Sequence, residues 1–367
     1  MKQILLTATM ALVFVSCATE QTIEVNRVND EIKFAVVTEA ATKAADVYCN
    51  NNLPDEFTVY ANHGGKTYID GDVIVRDGSA WKNTNGVRYW PEPGEVTFYA
   101  YHNAGTFNWT SGEVPTVHFT VENAVADQVD FIYAVKTQVK NDNPVALNFR
   151  HALSQIVFQA KNTNPNLYVE ISGVSVCNVG KTNTFTYPSA NTSGNVVNHD
   201  GTGATTIGDQ GTWAALTGGE ADYSVTFAAV PVAGNGTVCA LTSASTPGEF
   251  NANTMLLLPQ TTTAWVPANN TPATGSYFLV TCKIYNVAGA SYVSGSDVCV
   301  FDGRIAIPAA FTWEQGKKYI YTFVFGNGNA GYIPDNDDSA LIPIEYNVTV
   351  DDFVPVTADD TDMVTNS

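Results

Sequence analysis

Catalysis and metal binding need donor groups that arrive together, and the five histidines of this chain do not. His63, His102, His118, His151 and His199 are never within four residues of one another. The chain therefore holds no HExxH pair to grip zinc, and no GxSxG supplies a nucleophile elbow. Cys49, Cys177, Cys239, Cys282 and Cys299 are scattered and form no CxxC, which argues against a zinc site. Cys282 and Cys299 fall on two expected neighbouring strands and could bridge in an oxidising compartment, but buried free thiols are the preferred reading. Asp335-Asn336-Asp337-Asp338-Ser339 alternates oxygen ligands like a calcium loop. Ala340 stands where the turn glycine belongs and Tyr346 where the bidentate Glu belongs, so a solvated acidic loop is expected. Gly326 to Gly331 matches GxGxxG but leads into Tyr332-Ile333-Pro334 instead of a helix N-terminus, so it reads as a strand exit. The adjacent carboxylates Asp351 and Asp352 point to opposite faces of a strand and cannot share a proton. Trp81, Trp90, Trp109, Trp213, Trp265 and Trp313 could stack on sugars, although core or rim positions are the usual fate of such residues. No catalytic residue, metal or cofactor is expected.

The N-terminus carries a different kind of chemistry. Met1–Ser16 has one cation, Lys2, ahead of an apolar stretch from Ile4 to Val15. Such a stretch reaches about 18 Å as a helix against the ~30 Å of a hydrocarbon core, so it is an export signal and not a span. Phe14-Val15-Ser16-Cys17 resembles the relaxed lipobox of bacterial lipoproteins, in which the cysteine thiol is acylated and becomes residue one. Polar Ala18-Thr19-Glu20-Gln21 follows at once. Lipid on Cys17 would anchor the chain without a transmembrane helix, each buried methylene contributing ~0.8 kcal/mol. Loss of Lys2 with the signal leaves 16 cations against 36 anions. A charge of this sign offers nothing to a polyanion, and nucleic acid is excluded as a partner.

The elements that must carry any function are strands. Charged residues make up only 14% of the 367 and hydrophobic ones 45%, too apolar for a disordered chain. Glu31–Thr38 alternates Ile32, Phe34 and Val36, and Glu95–His102 alternates again. Asp77-Gly78 and Asn85-Gly86 are hairpin signals. Lys317–Phe325 is apolar on both faces, which places it inside a sandwich. His151–Phe158 comes nearest to helical spacing and is too short for a helix. The reading is all-β, built of β-sandwiches. Residues 1–16 form the signal, 17–30 a polar tether, 31–165 and 166–353 two sandwiches joined at Asn162–Asn166, and 354–367 an acidic tail.

Several segments resemble the fimbrillin family, the type V pilins and fimbrillin-like lipoproteins of Bacteroidales. They are Arg88-Tyr89-Trp90-Pro91 with Val96–Tyr101, Asp130–Ala134 leading to Val145–Ile156, Leu256–Gln260, Trp313–Tyr321, and Val348–Phe353. Phe353 stands where the family more usually has Trp. The segments occur in the family's order from about residue 31 to 353.

The resemblance implies two tandem transthyretin-like β-sandwich domains and a structural, adhesive role at the outer membrane. It implies that a trypsin-like protease removes the N-terminal segment with its first strand, and that a strand from another fimbrial subunit fills the vacated groove. Of the basic residues ahead of the first sandwich, Arg27 lies in the tether and Lys33 would split the strand Glu31–Thr38. A cut after Lys43, in the small-residue run Ala40–Ala45, frees the strand whole. The C-terminal segment, with Ile344, Tyr346, Val348, Val350, Val354 and Val356 alternating, is the natural donor. The receptor is not legible. The rival function is a surface lipoprotein that binds glycans and never polymerises.

Overall fold

The computed structural model describes residues 31–36, 54–91, 94–189, 191–192, 210–216, 221–242, 253–267, 275–288, 291–326, 331–333, 338–339 and 344–352. Cys17, Arg27, Lys43 and Cys49 lie outside them, as do the tail and most of the calcium-like loop. Among the described residues there is no α-helix; Val125–Asp127 forms a single 3-10 turn. The strands begin with β1 (Phe34–Val36), β2 (Glu56–His63), β3 (Lys66–Asp77), β4 (Ala80–Asn83) and β5 (Glu95–His102). Next come β6 (Thr106–Asn108), β7 (Thr116–Thr120), β8 (Ile132–Val139), β9 (Val145–Leu147) and β10 (Arg150–His151). The middle holds β11 (Ser154–Asn162), β12 (Leu167–Val179), β13 (Thr182–Thr186), β14 (Thr212–Trp213), β15 (Ala221–Ala233) and β16 (Cys239–Ala240). The last are β17 (Met255–Leu257), β18 (Gln260–Thr261), β19 (Tyr277–Asn286), β20 (Val298–Pro308), β21 (Thr312–Trp313), β22 (Lys317–Phe325), β23 (Tyr332–Ile333), β24 (Asp338–Ser339) and β25 (Ile344–Asp352).

Two groups of sheets result. In the first, a six-stranded sheet runs β10-β8-β5-β2-β3-β4. Alternation along β5 gives it two apolar faces. Val96, Phe98 and Ala100 join a compact core with Phe57, Val59, Phe149 and the parallel pair β1-β9. Tyr99 and Tyr101 point the other way, toward the four-stranded sheet β14-β13-β7-β6, where Tyr99 meets Tyr187 edge-on at 5.8 Å. In the second group, β16-β11-β22-β25 with β17 beside β11 faces the sheet β15-β12-β19-β20-β23-β24. Phe158 of β11 and Phe323 of β22 stack at 5.8 Å, and both touch Phe278 of β19 from across the sandwich. The Asp77-Gly78 hairpin forms between β3 and β4, with Gly78 at φ 65°. Lys317–Phe325 is the inner strand β22, flanked by β11 and β25, as its two-faced pattern requires.

The expected division at residues 165/166 does not follow the sheets. β11 lies before that point yet pairs in parallel with β22, from Gln155 opposite Lys318 to Asn162 opposite Phe325. β13 lies after it yet pairs with β7, Phe185 opposite Val117. Asn162–Asn166 does not join two separate sandwiches. It is the arch that carries the chain from one face of the second sandwich to the other, and Asn162 is fully buried. Its Nδ2 donates to the Leu167 carbonyl at 2.8 Å while its Oδ1 accepts from the Asn164 amide at 3.0 Å. Polar residues with a proline read as a linker in sequence, but here the buried Asn162 amide supplies the hydrogen bonds that a tight corner needs. His151–Phe158 is likewise strand, split between β10 and β11.

Candidate functional site

The groove that holds β1 is the feature whose geometry has a functional consequence. Ile32 and Phe34 are 5% and 6% exposed, and both belong to the compact core. Phe34 meets Phe57 at 6.2 Å and Phe98 at 5.7 Å, edge-on to each. Main-chain bonds grip the segment from both sides. The Ile32 amide donates to the Arg88 carbonyl at 2.8 Å, and Glu31 bridges Tyr89 in antiparallel fashion. On the other side the Val145 amide donates to the Lys33 carbonyl at 2.7 Å, and β1 continues in parallel register, Phe34 opposite Val145 and Val36 opposite Leu147. The segment is thus a keystone between two walls over an aromatic floor. Burying one Ile and one Phe side chain contributes about 3–6 kcal/mol.

The wall at residues 88–89 is itself pinned. Arg88 donates through Nε to Asp72 Oδ2 at 2.7 Å and through Nη2 to Oδ1 at 2.8 Å, a bidentate pair. Asn83 and Asn85 donate to the same carboxylate at 2.7 and 3.1 Å. Asp72 is 1% exposed. Burial alone would raise its pKa, but the bonds from Arg88 and the two asparagines outweigh it and hold the carboxyl below its ordinary range. Tyr68 adds a hydrogen bond from its hydroxyl to the Tyr89 carbonyl. The Asn85-Gly86 signal therefore marks a turn whose return limb shapes the groove, and β4 itself stops at Asn83.

The segment expected to act as donor is, as far as Asp352, the strand β25. β25 pairs antiparallel with β22 of its own chain, Ile344 opposite Phe325 and Val350 opposite Tyr319.

Other candidates disperse. Cys282 is buried opposite Gly303, whereas Cys299 is exposed opposite Tyr285; both are free thiols. The strands are neighbours, but the register sets the two sulfurs apart on opposite faces of the sheet, so the bridge does not form. Cys177 is buried, and Cys239 is half-exposed. Trp90, Trp265 and Trp313 are buried, and Trp81, Trp109 and Trp213 are half-buried against neighbouring rings or the core. His151 Nδ1 lies 3.0 Å from Asp130 Oδ1 in the interior, tying β10 to the residue before Phe131. Among the described residues no group of three His, Cys, Asp or Glu is placed to hold a metal, and no helix is long and apolar enough to cross a membrane. A cleft of about 510 Å3 lies beside His118, Glu122 and Asp127, and another of about 660 Å3 beside Trp213 and Gln315. The apolar alternation of Ile32 and Phe34 was visible in sequence; the identity of both walls was not.

A family model described as fimbrillin-like matches residues 29–349. Among solved structures, a fimbrial protein from Bacteroides vulgatus superposes with a TM-score of 0.57 at 16% identity, covering 89% of this chain and 100% of that one. A Bacteroides uniformis protein provisionally described as a cell adhesion protein gives 0.43 at 15% identity, covering 88% of this chain and 98% of its own. A similarly described protein from Parabacteroides distasonis gives 0.46 at 10% identity, over 88% and 98% of the two chains. No curated protein matches the sequence. At these identities the likeness to the Bacteroides vulgatus structure establishes a shared fold.

Proposed function

Since the chain belongs to the fimbrillin-like family, we propose that it is a structural, non-enzymatic subunit of a cell-surface fimbria, assembled with other fimbrial subunits and serving adhesion. The observation that carries this reading is the two-walled seat of β1, which is built to hold a strand by its backbone on both sides and by two apolar side chains below. In the proposed sequence, Cys17 is acylated and the subunit is carried to the outer membrane. A trypsin-like protease then cuts after Lys43. That cut frees Ile32, Phe34 and Val36 together, whereas a cut at Arg27 would leave all three in place. The opened seat takes a strand from the next subunit, with main-chain bonds supplying affinity and alternate side chains supplying register.

The donor assignment narrows. Because β22 already uses Ile344–Asp352, the donor falls to the chain beyond it, where Val354 and Val356 keep the two-residue spacing of Ile32 and Phe34. Smaller side chains on an aromatic floor make an exchanged strand a looser fit than the one it replaces, so assembly would depend on irreversible loss of the original.

Mild trypsin treatment of the exported protein tests the scheme. The expected product begins at Ala44 and migrates as an SDS-resistant ladder when unboiled, while Lys43→Ala gives neither. Normal processing and filaments in Lys43→Ala would overturn the mechanism. A blocked Cys17 on the cell-surface protein, with no ladder, would favour a monomeric anchor.

A further inference from the structure

The outer face of the large sheet in the second group is not featureless. On its inner face Val169, Ile171, Cys282 and Ile284 are buried in the sandwich. Alternation sends their neighbours outward, and register lines these up in rows across three strands. One row is Tyr168, Tyr285 and Cys299. The next is Glu170, Lys283 and Asp302, and the one beyond holds Thr281 and Arg304. Tyr292, from the segment between β19 and β20, folds back on the first row and stacks on Tyr168 at 4.5 Å and 5°. It also lies 4.8 Å from Tyr285, which in turn is 6.1 Å from Tyr168. That segment is held in shape by its own bonds, the Val293 amide donating to Asp297 Oδ2 at 2.5 Å and the Ser296 amide to the Val293 carbonyl at 3.1 Å.

Three tyrosines thus cluster outside the core, Tyr292 stacked on Tyr168 and Tyr285 tilted against both. All three are half-buried, so ring surface still reaches water. The Tyr285 hydroxyl donates to Glu170 Oε2 at 3.3 Å. Partial desolvation and the neighbouring Glu170 carboxylate push its pKa up to about 12, so it remains a protonated donor. Lys283 Nζ lies 3.0 Å from Asp302 Oδ2, with both side chains at least half exposed. The polar rows carry two carboxylates against two cations, Lys283 and Arg304, and so present many hydrogen-bonding groups with no net charge. That balance contrasts with the strongly acidic chain as a whole. A hydroxyl-rich, uncharged ligand with flat apolar C–H faces fits such a surface: its C–H faces lie on the rings, and its hydroxyls exchange with the charged row. Anionic ligands would meet Glu170 and Asp302, and a purely apolar one would leave the charged row uncovered.

We propose that Tyr168, Tyr285 and Tyr292, with the Glu170–Lys283–Asp302 row beside them, form a binding site for neutral pyranose oligosaccharides. The site lies on the other group of sheets from the β1 seat and does not depend on strand exchange, so it serves a polymerised or a monomeric protein alike.

The test uses the mature chain and hexasaccharides of β-1,4-glucose, α-1,4-glucose, β-1,4-mannose, β-1,4-xylose and β-1,4-N-acetylglucosamine, titrated by calorimetry and by saturation-transfer NMR. At least one is expected to bind with a dissociation constant of about 0.1–1 mM, weakened about tenfold or more by Tyr292→Ala and by Tyr168→Ala. Tyr292 lies outside the strands, so its replacement leaves the sheet ladder intact, and circular dichroism checks this. Tyr285→Phe should weaken binding less than either, because the ring remains. In the unsubstituted protein, the bound sugar should also perturb tyrosine fluorescence, a readout independent of any variant. Absence of binding by every hexasaccharide overturns the proposal, as does binding that Tyr292→Ala and Tyr168→Ala leave unchanged. So would binding of a proline-rich peptide, in place of the sugars, that the same variants abolish.

Discussion

The first and last described strands invert the usual link between a strand's length and its importance. β1 has three residues and β25 has nine. Yet the short segment is bonded on both sides, and its Ile32 and Phe34 are buried in a compact core that shares little with the rest of the molecule. The long one is, among the described residues, an edge strand with a single partner, and of its inward row only Ile344 is fully buried. Tyr346 reaches Phe278 at 5.3 Å, and Val348 is 47% exposed. Loss of β1 removes two buried apolar side chains from that core. Loss of β25 mainly uncovers hydrogen-bonding groups that water can satisfy. What a strand is worth depends on how many of its sides are used.

That contrast can be broken most forcefully at Phe34. Phe34→Ala is expected to lower stability by about 3–5 kcal/mol, because the ring sits over a packed aromatic floor that cannot collapse around the gap. Denaturant unfolding of the uncleaved protein measures this; a loss as small as that of a surface substitution would show the seat to be loose. Next in size is the pinned wall. Asp72→Asn keeps the shape but removes the charge that Arg88 grips, and is expected to cost about 1.5–3 kcal/mol by the same measurement.

The same carboxylate predicts a pH dependence. Its folded-state pKa is depressed, so its contribution is complete above the unfolded carboxylate value of about 4 and is lost as pH falls below that toward the lower folded value. Unfolding midpoints measured from neutral pH downward should fall more steeply in the parent protein than in Asp72→Asn. Equal slopes would remove Asp72 from the account. At the other end of the molecule, Tyr346→Ala should cost about 1–2 kcal/mol, since only part of its ring is covered. Val348→Thr should stay within about 0.5 kcal/mol. If Val348 proved as costly as Phe34, the exposed edge of β25 would have to be covered in solution.

Most of what alternates along the chain was legible. Ile32 with Phe34, the Asp77-Gly78 turn and the two-faced strand Lys317–Phe325 follow from period-two burial and turn chemistry, which depend on residues a few positions apart. The candidate site was half legible: its keystone strand was visible, but its walls at Arg88–Tyr89 and Val145–Leu147 were not. Tyr168, Tyr285 and Tyr292 do not stand out in the sequence, because only cross-strand register and a returning loop bring them together. Cys282 and Cys299 show the same limit from the other side, since local pattern gives neighbouring strands but not which face each thiol takes.

Partner choice was left to tertiary structure. β11 pairs with the far later β22, β13 returns to β7, and Asn162–Asn166 turns out to be a corner tied down by the buried Asn162 side chain. The sequence by itself determined that this protein is all-β, where its strands fall and which side chains they bury, because each of those follows from local patterns of apolar residues and turn formers. Only the folded molecule decided which strands meet, because every strand offers the same backbone donors and acceptors to any neighbour. The choice among neighbours is made by side chains that come into contact only once the sheets have packed.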